Sequence, residues 1–237
     1  MDRLVSCLLG GVLLIGSSSI SFADFDGDVD KAYAAYRVAL FKSNQKDEEA
    51  TKKAIAKFQS VWTGTILSNY TSAPAKYAGE KNWTATLEKI GAIADEAANV
   101  TMQGKILEAH EVLEEIRDQL DGLRDRNGVR VFSNFVNAYH TEMEHVMGTE
   151  ITADNWNDAL RGDLREKLGI LTYLAKDLAA HAPEALRENE EFGSLLKGLE
   201  GSIDQLRNAL EANDPEAVKK AVGGLKPAYA KLFVKFG

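Results

Sequence analysis

The sequence predicts an all-α protein built from two tandem antiparallel four-helix-bundle units. Apolar residues recur every three or four positions along most of the 237 residues, and the alternation of Val, Ile and Thr that marks strands is missing. The chain has only four prolines, and those at its helix breaks are well placed to end helices. One long, irregular helical domain is the alternative that the pattern leaves open.

The N-terminus is predicted to be a secretory signal peptide covering residues 1–23. Arg3 gives a positive start, an apolar run follows, and Ser21-Phe22-Ala23 is a small-x-small cleavage site. We therefore expect export to the periplasm and a mature chain without cysteine, because the single cysteine is Cys7. A chain without cysteine excludes iron–sulfur clusters, thiolate zinc sites and c-type haem attachment.

The first unit is predicted to cover residues 24–128 and to contain four helices. Its second and third helices are separated by a break at Ala73-Pro74, and Asn127-Gly128 predicts a left-handed helix stop at its end. The apolar positions of the four helices are, in order, Tyr33, Tyr36, Leu40 and Phe41; Ile55, Phe58, Trp62 and Ile66; Trp83, Leu87, Ile90, Ile93, Ala97 and Val100; Ile106, Ala109, Leu113, Ile116, Leu120 and Leu123.

The second unit is predicted to cover residues 129–237 and to repeat this plan. Its middle break at Ala182-Pro183 corresponds to Ala73-Pro74, which indicates a duplication. Asp214-Pro215 is an N-cap followed by a first-turn proline, and it opens the last helix. The four apolar stripes are Phe132, Phe135, Tyr139, Met143 and Val146; Trp156, Leu160, Leu164, Leu168, Leu171 and Leu178; Phe192, Leu195, Leu199, Ile203, Leu206 and Leu210; Val222, Leu225, Tyr229 and Leu232.

Charge and motifs exclude several classes of function. A formal net charge of −8 argues against a nucleic-acid partner. The densest arginine stretch alternates with aspartates, which is typical of a solvated helix face; it contains Arg117, Asp118, Asp121, Arg124, Asp125, Arg126 and Arg130. The sequence shows neither a nucleophile–base–orienter arrangement nor a Gly-rich phosphate loop, so we do not expect an enzyme.

The last 50 residues carry a family resemblance. The helix from Phe192 to Leu210, the acidic turn at 211–214 and the aromatic, basic C-terminus resemble cytochrome b562 and related periplasmic four-helix bundles. That resemblance implies a helical bundle in the periplasm. The family binds haem through a methionine near its start and a histidine in its last helix. Met143 matches the first ligand, but Phe233 stands at about the histidine position, so the haem ligands are not retained.

The candidate metal ligands surround the turn at Gly128. In a hairpin centred there, His110 comes level with roughly Glu144, and Glu114 with roughly His140. Each histidine also has its glutamate four residues later, on the same helix face. Two imidazoles and two carboxylates are a ligand set suited to iron, zinc or manganese.

A second ligand set overlaps the first. His140, Met143 and Met147 lie at i, i+3 and i+7, and an imidazole with two thioethers selects copper, particularly Cu(I). The structural alternative is that the methionines fill gaps in the core and the histidine bonds a neighbouring carboxylate. His181, just before the Ala182-Pro183 break, is most simply a helix C-terminal histidine.

These observations favour a periplasmic protein that binds a transition metal, copper or iron, for acquisition, delivery or resistance. Its partner would be the metal ion, with a membrane transporter or another periplasmic protein possible in addition. Two alternatives stay open. One is a ligand-free helical module that contacts a periplasmic or membrane partner, and the other is a haem-binding bundle.

Overall fold

The computed structural model describes residues 24–237, and the predicted signal peptide, residues 1–23, lies outside them. Over this range the chain is all-α, as predicted, with no strand and no helix long and apolar enough to cross a membrane. The helices are α1 (Phe25–Asn44), α2 (Glu48–Val61), α3 (Trp83–Met102), α4 (Ile106–Arg126), α5 (Phe132–Met147), α6 (Asp158–Ala180), α7 (Glu184–Arg187), α8 (Glu190–Glu211) and α9 (Pro215–Phe236).

Helix contacts form two closed rings. In the first, α1 packs on α2, α2 on α3, α3 on α4, and α4 back on α1. In the second, α5 packs on α6, α6 on α8, α8 on α9, and α9 back on α5. This order of contacts is consistent with two tandem four-helix units. Contacts between α1 and α9 join the rings.

The helix ends agree with the sequence at most boundaries. Gly128 has a φ of +64°, so the predicted left-handed stop is confirmed. The Asp214 carboxylate accepts hydrogen bonds from the backbone N–H groups of the first turn of α9, as an N-cap should. The prediction that α6 includes Trp156 is wrong. Asn157 caps that helix by accepting a hydrogen bond from the Leu160 N–H, so Trp156 lies before it.

The first unit has an aromatic core around an irregular helical segment. After Val61, α2 continues as a π-helical stretch, Trp62–Leu67, which includes Ile66, the last apolar position predicted for this helix. Trp62 is completely buried and stacks on Phe58 with 5.4 Å between ring centroids. Its indole N–H donates a hydrogen bond to the Leu87 carbonyl at 2.9 Å, which ties this segment to α3.

Polar contacts between α4 and α5 link the two units. Arg124 donates to the Ser133 hydroxyl at 3.0 Å, and Asn137 donates to the Asp121 carboxylate at 2.9 Å. The prediction that this arginine stretch is solvated is therefore wrong at two positions, because Arg117 and Arg124 are only 6% and 1% exposed. Both side chains lie at the junction, since α4 has one face on its own unit and another toward α5.

Candidate metal centre

A small pocket lies where the two units meet. Helices α1, α4, α5 and α9 all contribute to it, and its cavity of about 40 Å³ exceeds the space of one water molecule. Aromatic and aliphatic side chains of α1 and α9 form its apolar walls. The polar side chains that line it are Asn44, His110, Glu114, Arg117, His140 and Lys226.

Within the pocket, the His110 ring is held by the backbone and side chain of α1. Its Nδ1 is 2.8 Å from Ser43 Oγ, and that hydroxyl is 3.0 Å from the Leu40 carbonyl. A carbonyl only accepts, so the hydroxyl proton goes to Leu40 and the His110 Nδ1–H donates to Ser43. Burial lowers the pKa of His110, against the opposing effect of Glu114. The neutral ring then keeps an unprotonated Nε2, 3.6 Å from Glu114 Oε1.

His140 has the opposite proton arrangement. Arg117 Nη1 makes a short contact with His140 Nδ1, and a guanidinium only donates, so Nδ1 is the accepting nitrogen. A ring whose Nδ1 accepts carries its proton on Nε2, which is 3.4 Å from Glu144 Oε1. Lys226 Nζ approaches the same carboxylate oxygen at 3.3 Å. His140 is buried, and its ring packs against Tyr229.

Arg117 stands between the two histidines. While Nη1 contacts His140, Nη2 donates to Glu114 Oε1 at 3.0 Å. That carboxylate oxygen is also the one beside His110 Nε2. The guanidinium thus contacts His140 Nδ1 and Glu114 Oε1, and His110 Nε2 joins this cluster through Glu114. Two hydroxyls near it, those of Tyr36 and Tyr229, are buried without a hydrogen-bond partner.

The structure brings some predicted ligands to this pocket and leaves others outside. His110, Glu114 and His140 line it, while Glu144 contacts the far side of the His140 ring. Met143 is completely buried in the core and Met147 packs against the core, and neither lines the pocket. The thioethers and the imidazole of the second ligand set are therefore not gathered in one cavity.

Other histidines lie elsewhere. His145 is exposed and pairs with Glu142 at 3.2 Å. His181 caps the C-terminus of α6, as predicted, and stacks on Phe135. In the arrangement seen over residues 24–237, no three His, Cys, Asp or Glu side chains are close enough together to hold a metal ion. At the pocket, the candidate ligands His140 and Glu114 are kept apart because Arg117 lies between them.

Sequence reasoning missed Arg117, Ser43 and Lys226. The spacing of Arg117, seven residues after His110 and three after Glu114, puts all three side chains on one face of α4 and was available as a signal. Ser43 and Lys226 come from α1 and α9, which are distant in sequence, so no local pattern could place them beside α4 and α5.

Glu144 gives the pocket a testable pH dependence. Its contacts with His140 and then Lys226 lower its pKa from 4.5 to about 2, although burial opposes the shift. A depressed carboxyl pKa stabilises the fold above the unfolded-state pKa, and the effect is lost as pH falls through the folded value. We expect Glu144→Gln to lower the free energy of unfolding at neutral pH. The deficit should shrink between pH 4.5 and 2.

The measurement is urea denaturation of wild type and Glu144→Gln at a series of pH values. Glu88→Gln, at an exposed position of α3, is the matched control and should follow wild type throughout. A deficit that stays constant from neutral pH down to 2 would contradict the assignment of this carboxylate to the charged form.

Comparison with known proteins gives no match to a family model, to a curated protein or to a solved structure. The resemblance to cytochrome b562 therefore stays a prediction. Phe233, at the position of the family's histidine, is buried among the aromatic residues of α9 and lines the pocket.

Proposed function

We propose that this chain is a periplasmic transition-metal-binding protein that acts in metal acquisition, delivery or resistance. The observation that carries the proposal is the convergence of His110, Glu114 and His140 on one small pocket between the two units. Neutral imidazoles and a carboxylate are the donors that divalent iron, zinc and copper accept. The periplasmic location rests on the predicted signal peptide.

The outer contacts of the two histidines support a metal-binding role. A ligating histidine commonly donates its other ring N–H to an oxygen, which fixes the ring and the tautomer. His110 meets this requirement as it stands, because its Nδ1–H donates to Ser43 and leaves Nε2 free. For His140 the corresponding oxygen belongs to Glu144, beside Nε2, which leaves Nδ1 as the ligand atom.

This choice of atoms defines the ligand set, and the ligand set limits which metals suit the site. It consists of His110 Nε2, Glu114 Oε1 and His140 Nδ1, with open positions for water or a further ligand. Two imidazoles and one carboxylate with open positions are the set of non-haem Fe(II) sites. We therefore favour iron. Copper stays possible as Cu(II), which accepts nitrogen and oxygen donors, while Cu(I) would lack the thioethers it prefers.

The test is a titration of the purified chain, residues 24–237, with Co²⁺, whose visible spectrum reports imidazole and carboxylate ligation. We expect one Co²⁺ per chain in wild type and no binding in His140→Ala or His110→Ala. His145→Ala and His181→Ala are matched controls outside the pocket and should bind as wild type. Equal binding by wild type and His140→Ala would end the proposal, and no binding by any of them would favour the ligand-free interaction module.

A further inference from the structure

Arg117 contacts two of the three proposed ligand atoms. Its Nη1 contacts the lone pair of His140 Nδ1, and its Nη2 bonds Glu114 Oε1 at 3.0 Å. A metal ion ligated by the same two atoms needs the same lone pairs. The guanidinium and the ion are therefore mutually exclusive, because a nitrogen lone pair cannot serve both at once.

In this position Arg117 does not satisfy all of its hydrogen-bond donors. The side chain is 94% buried, yet its Nε–H has no hydrogen-bond partner. A guanidinium has five N–H donors, and a buried donor without an acceptor is unfavourable. The hydrogen bond to Glu114 and the contact with His140 are the two interactions of the guanidinium that an ion would replace.

An aromatic ring of the pocket wall lies beside the guanidinium. The Phe233 ring lies with its centroid 5.8 Å from the guanidinium carbon, at the outer edge of cation–π contact. The pocket itself is open to solvent on one side, where the partly exposed Lys226 lines it.

We propose that Arg117 is a built-in competitor for the metal: it occupies the metal-free pocket, and its displacement sets the affinity for the ion. This inference rests on the proposed function and adds regulation of the same site. When the binding-competent state is a minor fraction, the apparent Kd rises by the inverse of that fraction. For minor states of about 0.1–10%, that factor is roughly 10 to 1000.

The experiment is a Co²⁺ titration of wild type, Arg117→Met and Arg124→Met. Arg124 is the matched control, because it is equally buried on α4 but bonds Ser133 two helical turns away. We expect Arg117→Met to bind Co²⁺ at least about tenfold more tightly than wild type. Arg124→Met should bind as wild type, which would show that removal of a buried charge alone does not raise affinity.

The outcomes separate this inference from the proposed function. If Arg117→Met binds Co²⁺ with equal or lower affinity while His140→Ala loses binding, the competitor role is wrong and the metal site stands. If neither wild type nor Arg117→Met binds Co²⁺, both are wrong.

A second measurement uses wild type alone, so its result does not depend on whether the variant folds. In protein labelled with ¹⁵N-arginine, Zn²⁺ should shift the Arg117 side-chain signal and speed its hydrogen exchange, while that of Arg124 stays unchanged. An Arg117 signal that is unmoved at Zn²⁺ saturation would overturn the inference.

Discussion

Replacing Trp62 by alanine is expected to lower the free energy of unfolding by about 3–5 kcal/mol. The indole is completely buried, stacks on Phe58 and bonds the Leu87 carbonyl, so alanine leaves a large cavity and removes that hydrogen bond. The measurement is urea denaturation followed by circular dichroism. Trp62→Phe is the matched control. It keeps the stacking and most of the volume, and we expect it to recover at least half of the loss.

The same experiment examines how the two units depend on each other. Tyr33 of α1 lies 3.2 Å from the Asn137 amide nitrogen of α5, and Arg117 of α4 contacts His140. Because these buried contacts cross the junction, we expect Trp62→Ala to shift one common transition. Two separate transitions, with only one shifted by the variant, would show that the units unfold independently. A loss below about 1 kcal/mol would contradict the packing of this core.

Saturating metal is expected to give the second large effect, an increase in thermal stability of wild type. A ligand that binds only the folded state at 100 times its Kd adds about 2.7 kcal/mol. For a chain of this length that corresponds to a rise in Tm of roughly 5–10 °C. The ion would bridge α4 of the first unit to α5 of the second, so the gain reports on the junction directly.

The control for this effect is His110→Ala, measured with and without Zn²⁺ by differential scanning calorimetry. We expect its Tm to be the same in both conditions. An equal rise in wild type and in His110→Ala would contradict the proposed site, because it would place the stabilising ion elsewhere on the protein.

Much of the fold follows from local sequence patterns. The helical spacing of apolar residues, the stop at Gly128 and the cap at Asp214 are short-range signals, and each predicted its element. Trp156 shows the limit of the apolar pattern, because the row of apolar residues begins two positions before the first residue of α6. The cap at Asn157 decides that boundary.

The candidate site is only partly predictable for a physical reason. His110, Glu114 and His140 lie on consecutive helices, so a hairpin argument could relate them. Whether a charged side chain on an amphipathic helix is buried depends on what packs against its polar face. Arg117 is buried because α1, α5 and α9 surround that face of α4, and the alternation of arginine and aspartate carries no information about those contacts.

The most direct test of the central claim is an anomalous difference map from crystals of the chain grown with Zn²⁺, recorded at the zinc absorption edge. The account predicts one peak about 2.0–2.1 Å from both His110 Nε2 and His140 Nδ1, with Glu114 as the third protein ligand and the Arg117 guanidinium moved away. A map with no peak in the pocket, or with its peak beside the exposed pair His145 and Glu142, would contradict it.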